Sequence, residues 1–227
     1  MATFHSRRLP HYHAVGRPLF VTWRLHGSLP RHRHFPEVLA SGQVFLALDR
    51  LLDAAGSGPL YLRRPEIAGM IVEAIRYRDP GHYRLHHFVV MPNHVHLLVT
   101  PRVPVSQMMQ SLKRFTAREA NRMLGLTGKP FWADESYDRL VRDDAQHARI
   151  AGYVEMNPVH AGLAAEPEQY PWSSVRPISN RPQVTNLPRI AASRKRFGVS
   201  PVVYVGGCSK SSTHRTEKRH ATVYPQI

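Results

Sequence analysis

Cysteine, acidic residues and long apolar runs are all scarce in this sequence. The single cysteine, Cys208, excludes an intrachain disulfide and a cysteine-rich zinc site in the 227-residue chain. Any metal site must therefore be built from histidine, of which there are 15, and from carboxylate or amide oxygens. There is no run of about 18 apolar residues and no Lys-Arg-rich amphipathic helix of the interfacial kind, so we do not expect a membrane partner.

The shortage of acid leaves a large positive charge. The chain has 31 Lys and Arg against 16 Asp and Glu, a formal net charge of +15. This excess makes nucleic acid the expected partner. The N-terminal residues do not lead into the apolar segment that a signal peptide contains, so we expect a cytoplasmic protein.

The charge is distributed unevenly along the chain. From Val175 to Ile227 there are ten Lys or Arg and one acid, Glu217, so this segment carries +9 of the total of +15. Pro, Ser and basic residues dominate it and the apolar periodicity fades, which predicts a flexible basic tail over 175–227 that grips DNA. Residues 1–174 are long enough for one domain with its own core.

The first half of the chain predicts a strand, two helices and a pair of strands. Residues 19–25, LFVTWRL, alternate and are rich in β-branched and aromatic side chains, which is typical of a strand. Two stretches between Pro36 and about Arg78 place apolar residues three and four apart and predict helices. Residues 84–101, RLHHFVVMPNHVHLLVTP, predict two strands that are separated by a tight turn at Met91-Pro92-Asn93.

A long helix and a short strand follow. Ser106 is the expected N-cap of a helix that runs through Leu124, and Gly125 is expected to end it. Residues 136–142, SYDRLVR, predict the strand.

One more helix completes the pattern. Asp143 or Asp144 is expected to cap a helix over 145–155, and Pro158 is expected to stop it soon after Asn157. The order of elements indicates an α+β fold: a ferredoxin-like (RRM-like) antiparallel sheet with helices on one face.

A pair of histidines is the first candidate for chemistry. His94 and His96 are two residues apart on a predicted strand, so their imidazoles project from the same face and can share a metal. A bare H-x-H pattern is weak evidence, because such a pair is often two ordinary polar positions in a chain with many histidines.

A tyrosine and an asparagine on the last helix are the second candidate. Tyr153 and Asn157 are four residues apart, so they share a helix face, where an Asn157 oxygen could complete a metal site while Tyr153 faces a phosphate. Tyr153 could instead pack in the core, and Asn157 could be only a helix stop before proline. Tyr137 lies in a strand-like segment and is a rival candidate for the nucleophile. The usual role of a tyrosine in such a segment is structural.

Basic residues recur at two places that suit DNA. Four of them are spaced along the long helix and form a candidate phosphate-binding stripe: Lys113, Arg114, Arg118 and Arg122. The N-terminal segment RRLPHYHAVGRPLF mixes aromatic and histidine side chains with Arg7, Arg8 and Arg17, a composition suited to stacking on unpaired bases.

Three segments carry a family resemblance. FVVMPNHVHLLV (88–99) resembles the HUH signature of transposases related to the IS200 and IS605 insertion sequences. YVEMNPVHAGL (153–163) and YPWSS (170–174) are similar to the tyrosine-bearing helix and its exit in the REP-associated tyrosine transposases. The three matches occur in the family's order and are far more specific together than any one alone.

The resemblance implies a DNA transposase or nickase that cleaves and rejoins single-stranded, hairpin-associated DNA. Tyr153 would form a 5′-phosphotyrosine and release a 3′-hydroxyl. His94 and His96 would hold a divalent metal, with Asn157 at the position that supplies the third ligand. Two imidazoles and an amide oxygen suit Mg or Mn, with zinc as the alternative. Family members commonly act as dimers, which makes a homodimer a candidate assembly.

Three other functions fit part of the pattern. A phosphodiesterase could use the two histidines with water as the nucleophile. A non-catalytic RRM-type domain would use the same kind of sheet, although the sequence has no RNP-like aromatic run. A domesticated transposase would bind nucleic acid in a sequence-specific way and cut little.

Overall fold

The computed structural model describes residues 15–29, 41–54 and 58–175. The predicted basic tail beyond Val175 lies outside the described residues, and so do Arg7 and Arg8.

Four antiparallel strands form one sheet. They are β1 (Leu19–Leu25), β2 (Tyr83–Val90), β3 (His94–Pro101) and β4 (Trp132–Leu140), in the order β2-β3-β1-β4. This order, with helical crossovers between β1 and β2 and between β3 and β4, is that of a ferredoxin-like sheet. The predicted α+β class and antiparallel sheet are confirmed, as is the turn between β2 and β3.

Strand β4 begins at Trp132, four residues earlier than the sequence predicted. The missed residues include Ala133, Asp134 and Glu135, which have little intrinsic preference for strands. Tertiary contacts hold this part in place: the Lys113 ammonium donates hydrogen bonds to the backbone oxygens of Ala133 (2.6 Å) and Asp134 (3.0 Å).

Four α-helices accompany the sheet in the described parts of the chain, as predicted. They are α1 (Ser41–Asp53), α2 (Pro65–Tyr77), α3 (Val105–Leu124) and α4 (Asp144–His160), with short 3-10 turns at Tyr61–Arg63 and Pro167–Gln169.

The predicted start of α3 is wrong and its predicted end is right. The N-cap is Pro104, not Ser106, and no side chain caps the helix. Proline restricts its own φ, here to −51°, and its carbonyl accepts the first helical bond from Met108 at 3.0 Å. Gly125 ends the helix with a φ of 67°, in the left-handed region that glycine tolerates.

The start of α4 is as predicted, but its end is not. Asp143 is the N-cap and accepts a hydrogen bond from the Gln146 amide at 2.7 Å. Pro158 was expected to stop the helix, yet it lies inside the helix, which continues to His160. Proline removes one helical hydrogen bond, and so close to the C-terminus one missing bond does not unwind the last turn.

Glycine, not proline, ends α4. Gly162 has a φ of 67°, and its amide donates to the Val159 carbonyl at 3.0 Å. The next amide, that of Leu163, donates to the Pro158 carbonyl at 2.8 Å. Together these bonds form a Schellman motif. The helix therefore continues to His160, beyond the end that was expected at Asn157.

The helices divide between the two faces of the sheet. Helices α2 and α3 cover one face, where the Tyr83 hydroxyl donates to the Ile75 carbonyl and Trp132 Nε1 donates to Thr116 Oγ1. Helices α1 and α4 lie over the other face, where Phe45 and Tyr153 meet the ring of Phe20. The predicted placement of the helices on one face is therefore wrong: it holds for α2 and α3 only, because the polar and aromatic side chains of β1 and β3 on the opposite face are covered by the other two helices.

The YPWSS segment closes the free edge of β2. The Trp172 carbonyl accepts from the Val90 amide at 2.9 Å, and the Ser174 amide donates to the Phe88 carbonyl at 2.9 Å. The Tyr170 hydroxyl donates to the Val90 carbonyl at 2.8 Å, and burial raises the pKa of this tyrosine above its usual value. This motif therefore has a structural role, because it satisfies backbone groups that an edge strand would otherwise expose.

Candidate metal centre

The two histidines of β3 face each other in the interior. His94 and His96 are both 0% exposed, and their Nε2 atoms lie 3.0 Å apart. Their side chains share a face because two-residue spacing on a strand returns to the same side. The sequence-based placement of this pair is therefore what the structure shows.

A second contact orients each imidazole. His94 Nδ1 lies 2.7 Å from the side-chain oxygen of Asn93, and His96 Nδ1 lies 2.7 Å from Thr22 Oγ1. Each oxygen can accept a hydrogen bond from Nδ1–H, which leaves the Nε2 lone pair of both rings directed into the space between them. Metal-ligating histidines are oriented in this way, with the second nitrogen held by an oxygen.

Burial disfavours the protonated, charged form of His94. Burial lowers the pKa of His94 to about 3, with a further lowering from His96 that Asp49 only partly offsets. Two lone pairs that face each other at 3.0 Å repel unless a cation lies between them. A metal ion bound by both Nε2 atoms would remove this repulsion.

Asp49 on α1 completes a group of three ligand side chains, and sequence analysis missed it. It is 2% exposed, and its Oδ1 lies 3.3 Å from His96 Nε2 and 3.6 Å from His94 Nε2. Burial acts to raise the pKa of Asp49, but the charge and hydrogen bonding of His96, with smaller contributions from His94 and Asn157, hold it below its usual value. Asp49, His94 and His96 could hold a metal ion.

A second missed acid lies one helical turn later. Asp53 Oδ1 is 3.7 Å from His94 Nε2. Burial, and then the neighbouring Asp49, raise the pKa of Asp53 to about 8. A usable signal was present, because both acids fall at helical spacing from Phe45, on the side of α1 that enters the core.

Asn157 lies in the same cluster. It is 1% exposed, and its Nδ2 is 3.3 Å from His96 Nε2 and 3.4 Å from Asp49 Oδ2. Its Oδ1, like the Oδ1 atoms of Asp49 and Asp53, is buried without a hydrogen-bond partner among the described residues. Three such oxygens beside two imidazole nitrogens form a donor set that fits a divalent cation.

Tyr153 lies against this candidate ligand cluster and also packs in the core. It is 4% exposed, and its ring centroid is 5.6 Å from that of His96. The rings of Phe20 (6.3 Å) and Phe45 (6.2 Å) surround it as well. The rival tyrosine, Tyr137, stacks on Phe45 at 4.5 Å.

The predicted basic stripe lies on the other side of the sheet from the histidines. Arg114, Arg118 and Arg122 are exposed on α3, and the last two donate to Glu119 at 3.0 and 3.2 Å. Lys113 differs from them because its ammonium binds the backbone of β4. The structure therefore does not bring this stripe and the histidines together.

Arg17 is exposed just before β1. No helix in the described parts of the chain is long and apolar enough to cross a bilayer.

Residues 71–157 match the family model described as "Transposase IS200 like". The matched range contains both histidines, Tyr153 and Asn157. Over this range the chain is similar to IS200-like transposases. The resemblance expected from the motifs is thereby confirmed, and the match supports a transposase, a class whose members break and transfer nucleic-acid strands. No curated relative matches the sequence.

Two solved structures resemble this chain distantly. One is described as a REP-associated tyrosine transposase bound to a REP hairpin; it is 18% identical, with a TM-score of 0.46, over 80% of this chain and 94% of its own. The other is a candidate transposase from Deinococcus radiodurans R1; it is 17% identical, with a TM-score of 0.31, over 68% of this chain and 98% of its own.

Proposed function

We propose that this protein is a single-tyrosine transposase of the REP-associated type. It would cleave and rejoin single-stranded, hairpin-associated DNA through a 5′-phosphotyrosine on Tyr153, with a divalent cation held by His94, His96 and Asn157. The observation that carries the proposal is a convergence on His96: the Tyr153 ring is 5.6 Å from its ring, and the Asn157 amide is 3.3 Å from its Nε2.

The metal proposal follows from the donor set. Rotating the Asn157 carboxamide by half a turn would exchange Nδ2 for Oδ1 and direct the oxygen towards His96. Asp49 joins the predicted ligands because its Oδ1 is within 3.6 Å of both Nε2 atoms. Two imidazoles with carboxylate and amide oxygens form a harder set than a cysteine site, which favours Mg or Mn.

The chemical problem is the charge of a phosphodiester. When bound, a divalent cation would polarise the phosphate oxygens and offset the charge that develops during attack. The Tyr153 oxygen forms a bond to phosphorus and loses its proton, while the bond from phosphorus to the 3′-oxygen breaks and that oxygen takes up a proton. The phosphodiester becomes a phosphotyrosine diester, so a 3′-hydroxyl can reverse the step on another strand without ATP.

Two regions would hold DNA outside the metal centre. The N-terminal residues Arg7, Arg8 and Arg17 precede β1, and the stripe on α3 includes Lys113, Arg114, Arg118 and Arg122. Both would contribute mainly to phosphate binding, together with the basic tail. The 153–163 and 170–174 motifs make hairpin-associated DNA the expected form of the substrate.

Labelled hairpin oligonucleotides test this function. The wild-type protein with Mg or Mn should form a covalent adduct that survives a denaturing gel, and Tyr153→Phe should remove it. Tyr137→Phe is the matched control, since it removes the other buried tyrosine hydroxyl on this face of the sheet. Cleavage that persists in Tyr153→Phe would indicate attack by water, and binding without cleavage would indicate a domesticated binding protein.

A further inference from the structure

A cleft opens between the C-terminal ends of α1 and α4. Its volume is about 270 Å³, and it is lined by Arg50, Asp53, Ala54, His160 and Ala161. The proposed metal ligands do not include these residues, although His160 and Ala161 belong to the 153–163 motif.

The cleft adjoins the candidate metal centre at Asp53. Asp53 belongs to both, because it lines the cleft while its Oδ1 lies 3.7 Å from His94 Nε2. His160 follows Asn157 by three residues and Tyr153 by seven, so all three lie on one face of α4. This placement exists because α4 continues past Pro158 to His160.

The polar side chains that line the cleft differ in their exposure to solvent. Arg50 is exposed at the mouth and His160 is partly exposed, whereas the Asp53 side chain is only 16% exposed and faces His94. A phosphate beside the exposed Arg50 would gain from the charge of the guanidinium. Burial lowers the pKa of His160, so its neutral imidazole would contribute a hydrogen bond and not a charge.

We infer that this cleft binds the nucleotide next to the attacked phosphate, with Arg50 and His160 holding that nucleotide's own phosphate. The inference rests on the proposed function, since it places a single DNA strand across the metal centre. The volume is just below the lower end of the range for small-ligand pockets, which is about 300 Å³, so it suits one nucleotide and not a stacked pair.

Salt-dependent binding of a fluorescent single-stranded oligonucleotide tests the cleft, with the full-length Tyr153→Phe protein in Mn²⁺ as the parent. Arg50→Gln should weaken binding about tenfold at low salt, as expected for a charge-assisted hydrogen bond. It should also reduce the slope of log K against log salt by about 0.7, the value for one phosphate contact on a single strand. Arg50→Lys should restore the slope.

Two further variants test whether a change in DNA binding comes from the cleft or from the overall positive charge of the protein. Arg102→Gln removes the same charge from an exposed arginine beyond the far end of β3, about 20 Å along the strand from His96, and should leave the slope unchanged. Ala161→Leu fills the cleft without altering charge, so it should weaken binding while the slope stays constant. Thermal melting identifies any variant that is simply unfolded.

The results distinguish failure of the cleft assignment from failure of the proposed transposase function. Wild-type affinity and slope in both Arg50→Gln and Ala161→Leu would overturn the cleft assignment, even if the Tyr153 adduct forms. A reduced slope in Arg50→Gln without any adduct in the wild-type protein would retain the cleft as a DNA site and overturn the transposase chemistry.

Discussion

Asp49 Oδ1 lies 3.3 Å from His96 Nε2, which joins helix α1 to the strand that carries the H-x-H pair. This contact extends the candidate metal centre beyond the residues that the family motifs contain. It brings a full negative charge to two buried imidazoles, and a divalent cation would gain most from that charge.

Asp49→Asn should weaken Mn²⁺ binding about tenfold or more, because a unit charge at this distance is worth more than the 1.4 kcal/mol that a tenfold change requires. Isothermal titration calorimetry measures the affinity. Asp134→Asn is the control, since this acid is exposed on β4. Equal affinities in the two variants would remove Asp49 from the metal centre.

Metal binding should stabilise the fold. The facing Nε2 atoms of His94 and His96 and the unpartnered oxygens near them are unfavourable without a cation. At one hundred times its dissociation constant, Mn²⁺ should add about 2.7 kcal/mol to the free energy of unfolding. This corresponds to a rise of roughly 5–10 °C in melting temperature for a domain of this size. Thermal melts with Mn²⁺ and with EDTA measure the shift, which His94→Ala should lose; an unchanged shift there would place the bound metal elsewhere.

Two glycines on or near α4 should respond to alanine with opposite signs. Gly162→Ala should destabilise the protein by about 1 kcal/mol, because its φ of 67° is strained for a residue with a Cβ. Gly152→Ala should stabilise it by about 0.5–1 kcal/mol, since a Cβ there meets nothing within 4 Å and helix propensity improves. Urea denaturation in EDTA gives both values. A neutral Gly162→Ala would mean that Gly162 does not fix the end of the helix.

The YPWSS segment should contribute to stability and not to the chemistry. Tyr170→Phe removes the buried hydrogen bond to the Val90 carbonyl and should cost about 1–3 kcal/mol in the free energy of unfolding. Tyr77→Phe is the control, because Tyr77 is 49% exposed. Denaturant midpoints and adduct yields are measured on the same preparations. Loss of adduct from a fully folded Tyr170→Phe protein would show that this segment has a direct role in cleavage.

The spacing of apolar residues predicted the helices and strands whose position depends mainly on their own sequence. The alternation in β1 and β3 and the helical spacing in α1, α2 and α3 were sufficient to place these elements. The start of β4 was missed because contacts from Lys113 hold residues with poor strand preference. The end of α4 was missed because the hydrogen bonds at Gly162 outweigh one bond lost at Pro158.

Some residues of the candidate site could be predicted from the sequence in the same way, and others could not. His94 and His96 lie within one strand, and Tyr153 and Asn157 lie within one helix, so spacing alone could group each pair. Asp49 and the cleft beside it could not be found this way, because α1 meets the other two elements only through tertiary packing. The roles predicted for the basic tail and for Arg7 and Arg8 stay predictions, since these residues lie outside the described parts of the chain.

The most direct test of the central claim is to locate the covalent bond by mass spectrometry. The protein would be incubated with Mn²⁺ and a pool of hairpin oligonucleotides with randomised single-stranded flanks, then digested with nuclease and protease. The single-tyrosine mechanism predicts a nucleotide phosphate attached to the peptide that contains Tyr153, and no such peptide when EDTA replaces Mn²⁺. An adduct on Tyr137 or another residue, or cleaved DNA without any adduct, would contradict it.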